Sequence, residues 1–355
     1  MVPATQHGST TTAGPARRRV GVAAALLAIC WAGPMAACRG EATASAAADV
    51  TAPAASSPAA VATEACCPAD PDVWVVSTRH LPEIGCVPTS ASPLVERLVP
   101  CGPSSRWETA DVADLLGDPG RPLLVFIHGN RYESGDAKSQ GLLLARRCAQ
   151  TLAEGTAVRT VILSWPSAQQ GILLRDGRAK YDRAVSDGRY LAWLLGKVDP
   201  ARPVALVAYS YGAIVSLEAL DNLVRASHAG RDEAAPWMGR GGRVHMVLVA
   251  AAVRHDALAP RGVYRRVTDG VDRLTLVNNT RDLALKFFEF LDPTLRADAL
   301  GREQMPARWI PPGVEFVQVD AADIVGKDHR FVPYLSSPPL RRRIAAGALD
   351  GLTAE

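Results

Sequence analysis

The sequence has no CxxC pair, and its histidines do not stand at ligand spacing, so no metal centre is expected. It has little excess charge of either sign: 39 lysines and arginines against 36 aspartates and glutamates leave +3. No basic patch is implied, and nucleic acid is excluded as an expected partner. It has no internal repeat, and beyond its N-terminal region no apolar run of membrane-spanning length. The longest later run, Val244 to Val253, is strand-sized. What it does have is apolar material, 48% of 355 residues, ample for one large domain with a substantial core.

Residues 1–37 contain Arg17, Arg18 and Arg19 and no acid or lysine. Without them the chain carries 36 basic and 36 acidic residues. An apolar stretch from Val20 to Trp31 follows the arginines, and small residues follow that. This is the charge and length pattern of a secretory signal, shorter than a membrane span. It ends in Met35-Ala36-Ala37-Cys38, which resembles the lipobox of bacterial lipoproteins with methionine in place of the usual leucine. The resemblance implies lipidation of Cys38 and a membrane partner through that lipid. An ordinary signal cut nearby has the same features, and the arginine run leaves the export route open. Residues 38–65 are mostly Ala, Thr, Ser and Pro, the composition of a flexible tether that buries no core. The folded domain is therefore expected over residues 66–355, on the outer side of the inner membrane in a cell envelope.

Cys30 leaves with a signal, and Cys38 would carry lipid. Cys66, Cys67, Cys86, Cys101 and Cys148 remain in an oxidising compartment. Five is odd, so at least one is unpaired or pairs between chains. A bridge from Cys86 to Cys101 would close a modest loop.

From Val73 the chain alternates strand and helix. Apolar runs at Val73–Thr78, Leu123–Ile127, Thr160–Ser164, Val204–Val207, Val244–Val249, Leu274–Val277 and Val314–Val319 read as strands. Helical spacing joins Ala137 to Leu152, Tyr181 to Leu195, Ile214 to Val224 and Leu340 to Leu349. The pattern predicts an α/β fold with a mostly parallel sheet covered on both faces. Ligands then gather beyond the carboxyl ends of the strands.

Ser210 follows the Val204 strand just where the helical period begins. It has Ala208 two residues before it and Gly212 two residues after. Small neighbours are needed in a tight strand-to-helix turn, which lifts a serine to the sheet edge as a nucleophile. A serine that merely caps a helix reads the same in isolation. Three other strand ends add to it. His128-Gly129-Asn130 closes the Leu123 strand, Asp282 follows the Leu274 strand, and His329 follows the last one. Asp256, after the Val244 strand, is the alternative acid. Ser210, Asp282, His329 is the chain order of a Ser-Asp-His triad.

The chain from about Val73 to Leu349 resembles the α/β-hydrolase superfamily. The stretches VWVVST, FIHGN, LSWPS, AYSYG, NTRDLAL and DHRFVPYL look like a bacterial group of largely uncharacterised serine hydrolases. The resemblance implies Ser210, Asp282 and His329 as the triad and the N–H groups of Asn130 and Tyr211 as the oxyanion hole. Ala208 stands where glycine is commoner. His128 and Trp165 are candidate pocket residues, although packing under the Ser210 turn is the preferred place for Trp165.

The implied reaction is hydrolysis of a small-molecule carboxylic ester through an acyl-enzyme, with no cofactor. Amidase, thioesterase and acyltransferase chemistry use the same constellation and stay open. So does a non-catalytic α/β-hydrolase-fold binding or scaffold lipoprotein. Only a short basic segment lies between the Val244 and Leu274 strands, so no large cap domain and an open site are expected. Ser227 to Gly242, rich in glycine and charge, is expected as a mobile surface loop.

Overall fold

The computed structural model describes residues 71–352 apart from 102–103, 154–155, 170–172, 232–235 and 291–296. The signal, Cys38, the tether and the pair Cys66-Cys67 lie outside the described residues. Among the described residues nine strands form one sheet: β1 (Val73–Ser77), β2 (Leu94–Cys101), β3 (Ser104–Ala110), β4 (Leu123–Ile127), β5 (Arg159–Ser164), β6 (Val204–Tyr209), β7 (Val244–Val249), β8 (Arg273–Asn278) and β9 (Glu315–Asp320). Their order is β3-β2-β1-β5-β4-β6-β7-β8-β9. Every pairing from β1 through β9 is parallel, and only β2 and β3 run antiparallel to their neighbours.

β1, β4, β5, β6 and β7 are buried at every residue, which is why they read as unbroken apolar runs. The hairpin of β2 and β3 is not among the strands expected from sequence. It forms one edge of the sheet, half exposed, and its sequence (LVERLVPC, then SSRWETA) is too polar to show a buried run.

Four long helices flank the sheet: α1 (Ser134–Ala149), α2 (Leu173–Leu195), α3 (Gly212–His228) and α4 (Pro338–Leu349). α1 and α4 pack on one face. Gly141 of α1 lies against Ile162 of β5, and Gly347 of α4 against Thr275 of β8. α2 and α3 pack together on the other face, with Gly188 against Glu218. Only two short 3-10 turns separate β7 from β8, so no cap domain is inserted there. This is the α/β-hydrolase fold. No helix among the described residues is long and apolar enough to cross a membrane.

The chain leaves β4 towards β5 on one side, and leaves β6 towards β7 on the other. β4 and β6 are adjacent, so their carboxyl ends border the crevice where the strand order switches direction. The turn after β4 and the turn after β6 are thus brought side by side by topology alone.

Two expectations are corrected. Cys86 is a free, exposed thiol rather than half of a bridge to Cys101. Its loop is held on α2, where Ile84 N–H donates to Ser186 Oγ (2.8 Å) and Arg189 donates to Ile84 O (2.5 Å), whereas Cys101 ends β2 in the sheet. The stretch from Ser227 to Gly242, whose residues 232–235 lie outside the described residues, is anchored at Trp237 where a mobile loop was expected. That indole is buried, its backbone N–H donates to Ser227 Oγ (2.9 Å) and its Nε1–H to Gly270 O (3.1 Å).

Candidate active site

Ser210 is at the junction of β6 and α3 with φ +53°, in the left-handed region that non-glycine residues seldom adopt. Such a conformation costs on the order of 1–3 kcal/mol and persists where its surroundings hold it. Here they do: Ser210 N–H donates to Val249 O (3.0 Å), and Ser210 O accepts from Ala213 N–H and Ala252 N–H (both 3.1 Å). Gly212 is required by closeness, since a Cβ there would stand 2.2 Å from Ile127 O. Gly129 meets the turn from the other side. A Cβ on it would be 2.8 Å from the Tyr209 ring and 2.9 Å from Ser210 Cβ. The two turns touch through these glycines.

Ser210 Oγ is 2.9 Å from His329 Nε2, and His329 Nδ1 is 2.6 Å from Asp282 Oδ2. Asp282 is the N-cap of a short helix (Leu283–Lys286), and its Oδ1 accepts from Leu285 N–H at 3.0 Å. Its second oxygen is left for the imidazole. The helix cap and the contact with the imidazole, which sequence alone left as alternatives, are made by the two oxygens of the same carboxylate. Asp256 lies elsewhere, half exposed and paired with Arg254 at 2.7 Å. Among the described residues, no hydrogen bond is made by the backbone N–H of Asn130 or of Tyr211. Both donors stand on turns beside Ser210. The Tyr211 ring is fixed under α2, where its hydroxyl donates to Gly177 O (3.2 Å).

His128 is corrected as a pocket residue, and Trp165 takes the packing position preferred for it: both are fully buried. The His128 ring stacks between Tyr132 and Trp165, at 5.1 and 5.6 Å. Trp165 Nε1–H donates to His128 O at 2.8 Å. The pair supports the 128–130 turn from beneath. Burial, with the Arg79 charge nearby, pushes the His128 pKa down to about 3, so its ring is neutral. Ser210 is 1% exposed, His329 4% and Asp282 0%.

Sequence reading passed over three supporting residues. Ser167, fully buried, accepts from Arg131 N–H through its carbonyl (2.7 Å) and from Tyr132 N–H through Oγ (3.1 Å), clamping the turn that carries Asn130. Asn279 donates to Gly326 O (2.9 Å) and Asp328 O (3.2 Å), tying the Asp282 loop to the His329 loop. Tyr209 donates its hydroxyl to His329 O, and its ring packs against His329 at 5.4 Å and Phe331 at 5.1 Å. Phe331 is itself buried against Phe126. The only sequence signal for any of the three was position: beside the elbow serine, beside the acid, or after a strand end.

Among the described residues, no group of three or more His, Cys, Asp or Glu side chains could hold a metal ion. No protein-family model matches the chain, and no curated protein matches it either. Two solved structures of esterase B from Lactobacillus rhamnosis are similar. One, with a C6-C4 SN3 inhibitor, has 13% identity and a TM-score of 0.35, covering 78% of this chain and 85% of that one. The other, inhibited by a C4-C4 SN3 tributyrin phosphonate, has 13% identity and a TM-score of 0.32, covering 76% and 82%.

Proposed function

We propose that the protein is a serine hydrolase that cleaves a small-molecule carboxylic ester through an acyl-enzyme. The observation that carries this reading is the unbroken chain from Ser210 Oγ through His329 to Asp282, with links of 2.9 and 2.6 Å. Ser210 Oγ attacks the ester carbonyl while His329 Nε2 takes its proton. The developing oxyanion is stabilised by the N–H groups of Asn130 and Tyr211, each worth about 3 kcal/mol by precedent. His329 then protonates the leaving alcohol. Water, deprotonated by the same nitrogen, releases the acid. Asp282 keeps the imidazole proton on Nδ1 and stabilises the imidazolium. None of these steps calls on a metal or cofactor.

The test is labelling of the purified chain by a fluorophosphonate, together with turnover of short p-nitrophenyl esters. Labelling with turnover is expected. The near-complete burial of Ser210 favours a second reading, a non-catalytic binding protein on the same fold. Absence of both labelling and turnover across ester and thioester panels would establish that reading instead.

Tyr209→Phe isolates the support of the base. The ring packing survives, but His329 O loses its buried donor, a change worth about 1 kcal/mol. With His329 less well held, kcat is expected to fall by up to about fivefold with KM unchanged, the signature of a contribution confined to the transition state. An unchanged kcat would show that the hydroxyl serves folding only.

The setting we propose is the bacterial cell envelope, with residues 1–37 removed as a signal and Cys38 lipidated. Support comes from the Met35-Ala36-Ala37-Cys38 stretch and the tether behind it. Cys38→Ser is expected to block processing or release the protein from membrane fractions. Unchanged processing and membrane association would remove the anchor from the account. One acyl chain holds a protein only marginally, so stable attachment requires more than one.

A further inference from the structure

A cavity of about 430 Å³ opens at the edge of the sheet away from Ser210. Val198 and Pro200, before β6, and Trp237 and Arg240, before β7, help to line it, as does Trp193 near the end of α2. β6 separates it from the serine by roughly 20 Å of strand. Its size is that of a small-molecule site.

The lining chemistry is one-sided. Lys197, Arg231 and Arg240 contribute to the wall, and among the described residues no carboxylate does, although the charges of Asp199 and Asp272 act on Arg240. None of the three cations has an ion-pair partner among the described residues. Arg240 is held in place by bonds to Asp199 O (3.0 Å) and Arg202 O (2.9 Å), with its guanidinium 4.3 Å from the Trp237 ring centroid. Lys197 lies 5.1 Å from the Trp193 ring centroid. Trp237 is rigid, fixed by Ser227 and Gly270 as described above. The remaining wall is largely apolar: Val87, Pro88, Leu195, Leu223 and Pro236 among others.

Three cations that make no ion pair among the described residues, set around two indoles and an aliphatic wall, suit a ligand with a negative head and an apolar body. We propose that this cavity binds an amphiphilic organic anion, a carboxylate or phosphate attached to an alkyl or flat aromatic group. The head pairs with Lys197, Arg231 and Arg240. The body fills the space between Trp193, Leu223 and Trp237. The site is separate from Ser210 and does not depend on the chemistry proposed there.

The test uses 8-anilinonaphthalene-1-sulfonate as probe, an aromatic anion whose fluorescence rises in apolar surroundings. One saturable site per chain is expected, weakened by added salt because the pairing is partly exposed. Lys197→Glu with Arg231→Glu reverses two exposed charges and should weaken binding by about tenfold or more. Ala226→Trp fills the cavity without changing its charge and should weaken binding as well, so the result does not rest on one variant. Octyl phosphate should displace the probe at concentrations where neutral octyl glucoside does not. Unchanged affinity in both variants, or equal displacement by octyl glucoside, overturns the proposal.

Discussion

Ser210→Ala is expected to abolish fluorophosphonate labelling and to lower ester turnover by about 10⁶, if the loss follows the precedent of serine proteases on another fold. The expectation is built from the turn. The serine is held in a left-handed conformation by three backbone hydrogen bonds, none of which uses its side chain, so alanine can occupy the same backbone. What disappears is one oxygen, 2.9 Å from His329 Nε2. The thermal midpoint should therefore change little while the chemistry is lost. His329→Ala should come close to the same turnover, and the double variant should be no worse than either alone, because the two residues act as one unit. Turnover that survives in Ser210→Ala would place the reaction at another group. Additive losses in the double variant would mean that serine and histidine contribute to separate steps.

The central sheet was legible because β4 to β7 are buried on both faces and carry no polar alternation to confuse the reading. The edge hairpin was not, because β2 is held by pairing with β1 and β3 by pairing with β2, and neither has an apolar run of its own. The same division runs through the site. Ser210, Asp282 and His329 could be picked out because each follows a strand, and the strand order places those ends together. Ser167, Asn279 and Tyr209 could not, since their work is done through hydrogen bonds to backbone far away in sequence. Trp165 shows the limit from the other side. Its position after β5 is that of a pocket residue, but its indole turns inward to His128 O. Anchoring of the 227–242 loop likewise depends on a partner, Gly270 O, that no local pattern announces.

Asp282→Asn is expected to lower kcat by about 10⁴, the loss known for the equivalent change in a serine protease of different fold. Asparagine is as good an N-cap as aspartate, so its Oδ1 can go on accepting from Leu285 N–H and the short helix should persist. The other end of the side chain is then an amide N–H₂ facing His329 Nδ1. Two donors cannot share that contact. The imidazole proton moves to Nε2, the nitrogen 2.9 Å from Ser210 Oγ, which can no longer accept the serine proton. The protein stays folded with its base in the wrong tautomer. Asp256→Asn provides the comparison. That carboxylate is half exposed and pairs only with Arg254 across the surface, an interaction worth no more than about 1 kcal/mol, and its loss should leave kcat nearly unchanged. Measured side by side, with folding checked by circular dichroism, the two variants rank the acids directly. A large loss in Asp256→Asn with a small one in Asp282→Asn would reassign the acid and require His329 to be oriented differently during turnover.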